Sequence, residues 1–254
     1  MPNEGRSPAP KGLTVADTAR EVTRLLREHS GEIGRIALAP FTAIFLVDGA
    51  LALVPGFAPL LDLLGFVVVV IATAMFMVDV HRMVLLGRQA SERLPRLIPD
   101  NRDWRYLGRS VMVGIVVALG LALPVIVFAP GLLALPGGLY IFAVLVSLLA
   151  IAGMLAVGQK LPAAAVDRDV SIGDSWTKTK RALPGLLGVV LVVIAPIHIV
   201  ATGVAALQVA AEMNDLPVIP PLVLSVAIQF AELTLFAMLL SVVYKHYSGI
   251  DFKV

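Results

Sequence analysis

SIGDSWTKTKRALPG, residues 171 to 185, stands between two runs so apolar that neither suits water, yet it carries three positive charges, a tryptophan and a helix-starting signature. It could be a catalytic loop, a ligand site, or part of how the chain sits in a membrane. Its surroundings decide for the membrane. Of 254 residues, 58% are hydrophobic and 15% charged, more apolar surface than a water-soluble domain of this size can hide. A spanning helix needs roughly 20 mostly apolar residues. Six such runs lie at about 36 to 55, 60 to 80, 110 to 129, 137 to 158, 186 to 209 and 219 to 244.

The distribution of cations orients these spans. Six of the 20 lysines and arginines precede or include Arg35, seven lie from Arg82 to Arg109, five from Lys160 to Arg181, and Lys245 and Lys253 complete the set. The connections at 56 to 59, 130 to 136 and 210 to 218 hold none, and the last carries acidic Glu212 and Asp215. By the positive-inside rule both termini are expected in the cytoplasm. The Pro- and Gly-rich start, residues 1 to 13, reads as a disordered tail. No apolar core precedes residue 36, so the first span is expected to act as its own uncleaved insertion signal. Without cysteine, disulfides, thiolate metal sites and a cysteine nucleophile are excluded.

Within the quoted stretch, Ser171 with Asp174 three residues later forms a capping signature that starts a helix at Ile172. Ile172, Trp176, Thr179 and Leu183 then fall within about a 60° arc, with Asp174, Thr177, Lys178 and Arg181 facing away. Such a helix belongs in the interface, its indole at headgroup level and its cations reaching toward phosphates. TVADTAREVTRLLRE, residues 14 to 28, repeats the design: Thr14 and Asp17 match the cap, and Val15, Ala19, Val22 and Leu26 match the stripe. DNRDWRYLGR, residues 100 to 109, is a looser third copy, with Asp100 and Asp103 as cap and Trp104, Leu107 and Val111 as stripe.

The chain therefore reads as an all-α polytopic membrane protein. Its six transmembrane helices are arranged as three hairpins, each preceded by a short amphipathic interfacial helix. Residues 14 to 254 form one integral membrane domain with units at about 14–81, 100–160 and 171–246. The interfacial helices serve as anchors, or as a cytoplasmic platform for anionic lipid or a protein partner, with Trp104, Arg105, Trp176, Lys178, Lys180 and Arg181 as candidate contacts. A basic residue beside a span contributes roughly 1 kcal/mol of attraction to acidic headgroups.

KLPAAAVDRDVSIGDSWTKTKRALPGLLGVV, residues 160 to 190, resembles the cytoplasmic signature of a family of six-span bacterial inner-membrane proteins of unassigned activity. These are related to the membrane-embedded half of some glycerophosphodiester phosphodiesterases. The pattern is a Leu-Pro at a span end, a small apolar run, a charged pair, and Ser-Trp with a basic residue before the next span. MFMVDVHRMVLLGR, residues 75 to 88, with His81 and Arg82, is similar to the equivalent place in alphaproteobacterial members. The resemblance implies the fold and an inner-membrane location. In the phosphodiesterase relatives catalysis belongs to a separate soluble barrel, which this sequence does not encode, so that reaction is not expected here.

A charged group near the bilayer centre costs about 2.5 to 3.5 kcal/mol on insertion scales, which singles out Asp48, His198 and Glu232. Counted from the expected span ends, all three lie at one depth, roughly 18 to 20 Å in, and Ser225, Gln229 and Glu232 share a helix face. Such a set suits a proton relay or ion path; equally, its members serve as hydrogen-bonded contacts between helices. Asp79, His81 and Arg82, at the end of the second span, are expected to snorkel to the interface. HExxH, GxxxxGK[ST], GxSxG and paired histidines at ligand spacing are all missing. The expectation is a non-enzymatic scaffold or membrane-maintenance protein, without cofactor or nucleic-acid partner, with the lipid bilayer as its surroundings. The alternative is a transporter of a small solute or ion using the Asp48, His198, Gln229 and Glu232 region.

Overall fold

The computed structural model describes residues 14–53, 58–87, 96, 98–214, 217 and 219–248, all helical or irregular, with no strand among them. The expected tail at 1 to 13, Asp215 and the side chain of Glu212 lie outside the described residues. Six helices are long and apolar enough to cross a membrane. In chain order the helices are α1 (Val15–Leu53), α2 (Ala58–Leu86), α3 (Asn101–Leu133), α4 (Gly138–Val157), α5 (Lys160–Ala165), α6 (Ile172–Thr179), α7 (Leu183–Val189), α8 (Ala195–Met213) and α9 (Ile219–Ser248).

All three expected caps form. The Thr14 hydroxyl accepts from the Asp17 amide at 3.1 Å, and Ser171 accepts from the Asp174 amide at 2.9 Å. Asp100 and Asp103 close a reciprocal capping box. The helices that these caps start are not all short and separate, as the sequence led us to expect. Residues 15 to 28 run on into the first span as one 39-residue helix, and Asn101 begins a helix that continues to Leu133. Neither sequence contains a terminator at the join. Gly31 and Gly34 remain helical, and the next proline beyond them, Pro40, lies inside α1, where membrane helices tolerate it.

Only the third unit is interrupted. A 3-10 turn at Lys180–Ala182 joins α6 to α7, and a π turn at Val190–Ile194 joins α7 to α8. Prolines account for both places: Pro184 and Pro196 lack the N–H that would close the helical ladder, and each ring crowds the carbonyl four residues back. The wider π turn relieves that crowding before Pro196, with the Ala195 amide donating to the Val190 carbonyl.

α1 packs against α2 and α9, α3 against α4, and α8 against α9. The densest packing surrounds α2 and α9, half of whose apolar windows is buried, against 6% for α3. The outer surfaces of α3 and α4 expose Leu119, Leu123, Ile126, Phe128 and Leu139, an apolar face of the kind that marks a membrane or protein contact. The first turns of α1 lie against the charge-rich end of the bundle. Val15 meets Gly188 so closely that a Cβ there would stand 2.8 Å from its methyl, and Val22 and Leu25 are buried while Glu21, Arg24 and Glu28 face outward.

Candidate functional site

Of the four polar residues singled out within the spans, the structure brings two together. His198, one turn past the π segment on α8, places Nδ1 2.6 Å from Oε1 of Glu232 on α9. Both side chains are largely withdrawn from the surface. One proton lies between them: either Nδ1–H donates to the carboxylate, or the protonated carboxyl donates to Nδ1. In both states the other ring nitrogen, Nε2, is buried without a hydrogen-bond partner, at a typical penalty of about 1 to 3 kcal/mol. The Thr202 hydroxyl donates to the His198 carbonyl at 2.8 Å, and Tyr140 of α4 donates to the Ile199 carbonyl at 3.3 Å. Three helices therefore meet around the pair.

Asp48 does not join them. Phe41 of α1 lies beside Phe230 of α9, ring centroids 5.7 Å apart. From that contact Asp48 is seven residues toward the charge-poor end and Glu232 two residues the other way. The two carboxyls are therefore offset by about 13 Å along the bundle. The expectation of equal depth fails because α1 runs unbroken through residue 36 and sits in a different register. Gln229 is exposed on α9, one turn from Glu232 and on the outer surface.

The charge-rich end holds what the sequence did not show. Asp79, His81 and Arg82, expected to snorkel outward, instead turn inward. Arg96 clamps α2 to α3, its guanidinium 2.7 Å from Asp79 and 3.0 Å from both Asp100 and Asp103. Burial works against the Arg96 charge, but Asp79 and Asp103 outweigh it and hold the guanidinium above its ordinary range. Arg82 donates to the Ala165 carbonyl at 2.9 Å. His81 is fully buried and bonds Ser241 of α9 at 2.7 Å and Tyr106 of α3 at 3.2 Å. Because Ser241 donates its hydroxyl proton to the Ala237 carbonyl, its oxygen accepts from His81 Nδ1–H, leaving Nε2 to accept from Tyr106. Arg82 finds its partner on α5, which covers α2, α3 and α9 at this end of the bundle.

That cover is fastened by Asp167. α5 ends with the Asp167 amide on Ala164 and the Arg168 amide on Ala163, which requires a left-handed residue at Asp167, φ 59°. Its carboxylate bonds Arg105 and, at 2.8 Å, Arg102. Partial burial tends to raise this carboxyl, but the two guanidiniums prevail and hold it below the usual carboxylate range. Asp169 pairs with Lys160 at 3.4 Å and Arg109 at 3.2 Å; Lys160, then Arg109, hold its carboxyl low. Arg105, a candidate headgroup contact, is thus engaged within the chain. The signal available beforehand was numerical: five aspartates, at 79, 100, 103, 167 and 169, accompany Arg82, Arg96, Arg102, Arg105 and Arg109.

The quoted stretch keeps its indole outside. Trp176 and Trp104 are exposed, 45% and 51%. The buried side of α6 is formed by Ser175 and Thr179. The Thr179 hydroxyl lies 2.5 Å from the Ala156 carbonyl of α4 and 2.7 Å from that of Ser175. These small polar residues let α6 approach α4 closely, which splits the expected stripe: Thr179 enters the packing while Ile172, Trp176 and Leu183 line an open groove. Lys178, Lys180 and Arg181 are exposed and have no hydrogen bond or ion pair among the described residues. No protein-family model, curated protein or solved structure matches the chain.

Proposed function

We propose that this is a non-catalytic protein of the bacterial inner membrane, both termini cytoplasmic, with a scaffold or membrane-maintenance role. The observation that carries the reading is the division of labour among cations at one end. Arg82, Arg96, Arg102, Arg105 and Arg109 are committed to carboxylates and carbonyls that brace the helices, while Lys178, Lys180 and Arg181 stand exposed beside Trp176, as contacts to an anionic membrane surface would. The segregation of cations supports the orientation.

The contact between His198 and Glu232 favours a second reading, transport of a small solute or ion coupled to the shared proton. Intramembrane ionisable residues mark pathways as well as contacts. A single experiment separates the two. In a strain lacking the protein, the scaffold reading expects Glu232→Gln to restore the lost phenotype fully, because a neutral amide still bonds His198. A variant that is made and inserted at normal levels but restores nothing favours transport.

A further inference from the structure

The groove beside Trp176 has a volume of about 510 Å³ and is walled by Val117 and Gly120 of α3, Gly153 and Ala156 of α4, and Trp176 and Leu187 of the third unit. It is nearly all hydrocarbon. Along α4 it extends from Val157 at the charge-rich end to Leu149, about 12 Å, which lies within one leaflet of a hydrocarbon core about 30 Å thick. Glycine makes the space: a Cβ at Gly120 would meet nothing within 4 Å, and one at Gly153 would press on Val117 at 3.2 Å.

A cation stands beyond the wall of the groove, one turn from the indole. The Lys180 amide donates to the Trp176 carbonyl, so Lys180 stands one helical turn from the indole, on the same face. Its ammonium is exposed and unpaired among the described residues, and side chains on a helix lean back toward its N-terminus. A flexible stem can therefore bring positive charge back over the indole, where the apolar groove meets the interface.

We propose that this groove is a binding site for one acyl chain of an anionic glycerophospholipid, with Lys180 holding the phosphate and Trp176 flanking the chain. The inference deepens the membrane-surface reading above and rests on it for the surrounding bilayer, but not for which side of the membrane α6 faces. Apolar walls fit the chain, and an unpaired cation selects an anionic headgroup over a zwitterionic one.

The test uses the full-length Trp104→Phe protein, in which Trp176 is the sole indole, reconstituted in bilayer discs. These are doped with either phosphatidylglycerol or phosphatidylcholine carrying brominated acyl chains. Half-quenching of Trp176 is expected at about five-fold lower mole fraction of the anionic lipid, the ratio one basic contact confers. Lys180→Gln should abolish that ratio without altering helicity. Gly120→Leu, which extends into open space, should weaken quenching by both lipids. Equal quenching by the two lipids would overturn the proposal, as would a preference unchanged by Lys180→Gln. So would quenching by both lipids left intact in a folded Gly120→Leu protein, because it would show only the lipid that surrounds any membrane protein.

Discussion

Glu232 Oε1 and His198 Nδ1 are 2.6 Å apart across the α8–α9 contact, one turn beyond a π segment, and the ring's other nitrogen is buried with no partner. A bond of this kind within a membrane contributes about 0.6 kcal/mol on average and up to about 1.7. A double-mutant cycle of His198→Leu and Glu232→Leu, read by reversible unfolding in detergent–lipid micelles, should give a coupling energy in that range. Additivity would mean that the contact contributes nothing to packing.

Ser241 and Tyr106 should not be equivalent partners of His81. Tyr106→Phe removes a longer, 3.2 Å contact and leaves buried Nε2 without a donor, for a loss toward the lower end of about 1 to 3 kcal/mol. Ser241→Ala leaves the buried His81 Nδ1–H with no acceptor, for a loss of about 1 to 3 kcal/mol. Thermal unfolding of the two variants checks the order; a larger effect of Tyr106→Phe would reverse the proton assignment.

Asp167 combines a strained backbone with a bridging carboxylate, and the two are separable. Asp167→Gly and Asp167→Ala lose the same ion pairs, yet only alanine must hold φ at 59°. The alanine variant should be the less stable by about 1 to 2 kcal/mol. Equal melting temperatures would show that the left-handed turn relaxes at no cost.

The same carboxylate gives a pH dependence. Asp167 and Asp169 are both held below the ordinary aspartate range in the folded protein. Their stabilising contribution is therefore fully present above the unfolded value of about 3.9 and is lost as pH falls through the lower folded values. Melting temperature measured from pH 6 to pH 3 should fall below about pH 4, and less steeply in Asp167→Asn. Solvent screening of these exposed pairs keeps the effect small. An identical slope in the variant would remove Asp167 from the cause.

Local features of this fold were legible because they depend on neighbours in sequence. The caps at Thr14, Asp100 and Ser171, and the six apolar runs, are set by spacing alone. The continuity of α1 was not, because the place where a helix leaves the interface is marked by no residue in HSGEIGRI, residues 29 to 36. Depth counted from residue 36 therefore misplaces Asp48 relative to Glu232. His198 and Glu232 were legible as polar residues at comparable depth; that they touch depends on the packing of α8 against α9. The Arg96 clamp was hidden for a related reason: its carboxylates come from α2 and from the start of α3, and nothing local to Asp79 announces that a later arginine covers it. The groove beside Trp176 has no local signal either, because it arises from Ser175 and Thr179 drawing α6 onto α4.

Reporter fusions at residues 57, 133, 214 and 254 check whether the chain crosses six times with both ends on the cytoplasmic side. Periplasmic signals are expected at 57, 133 and 214 and a cytoplasmic signal at 254. A periplasmic signal at 254, or a cytoplasmic one at 133, would contradict that topology.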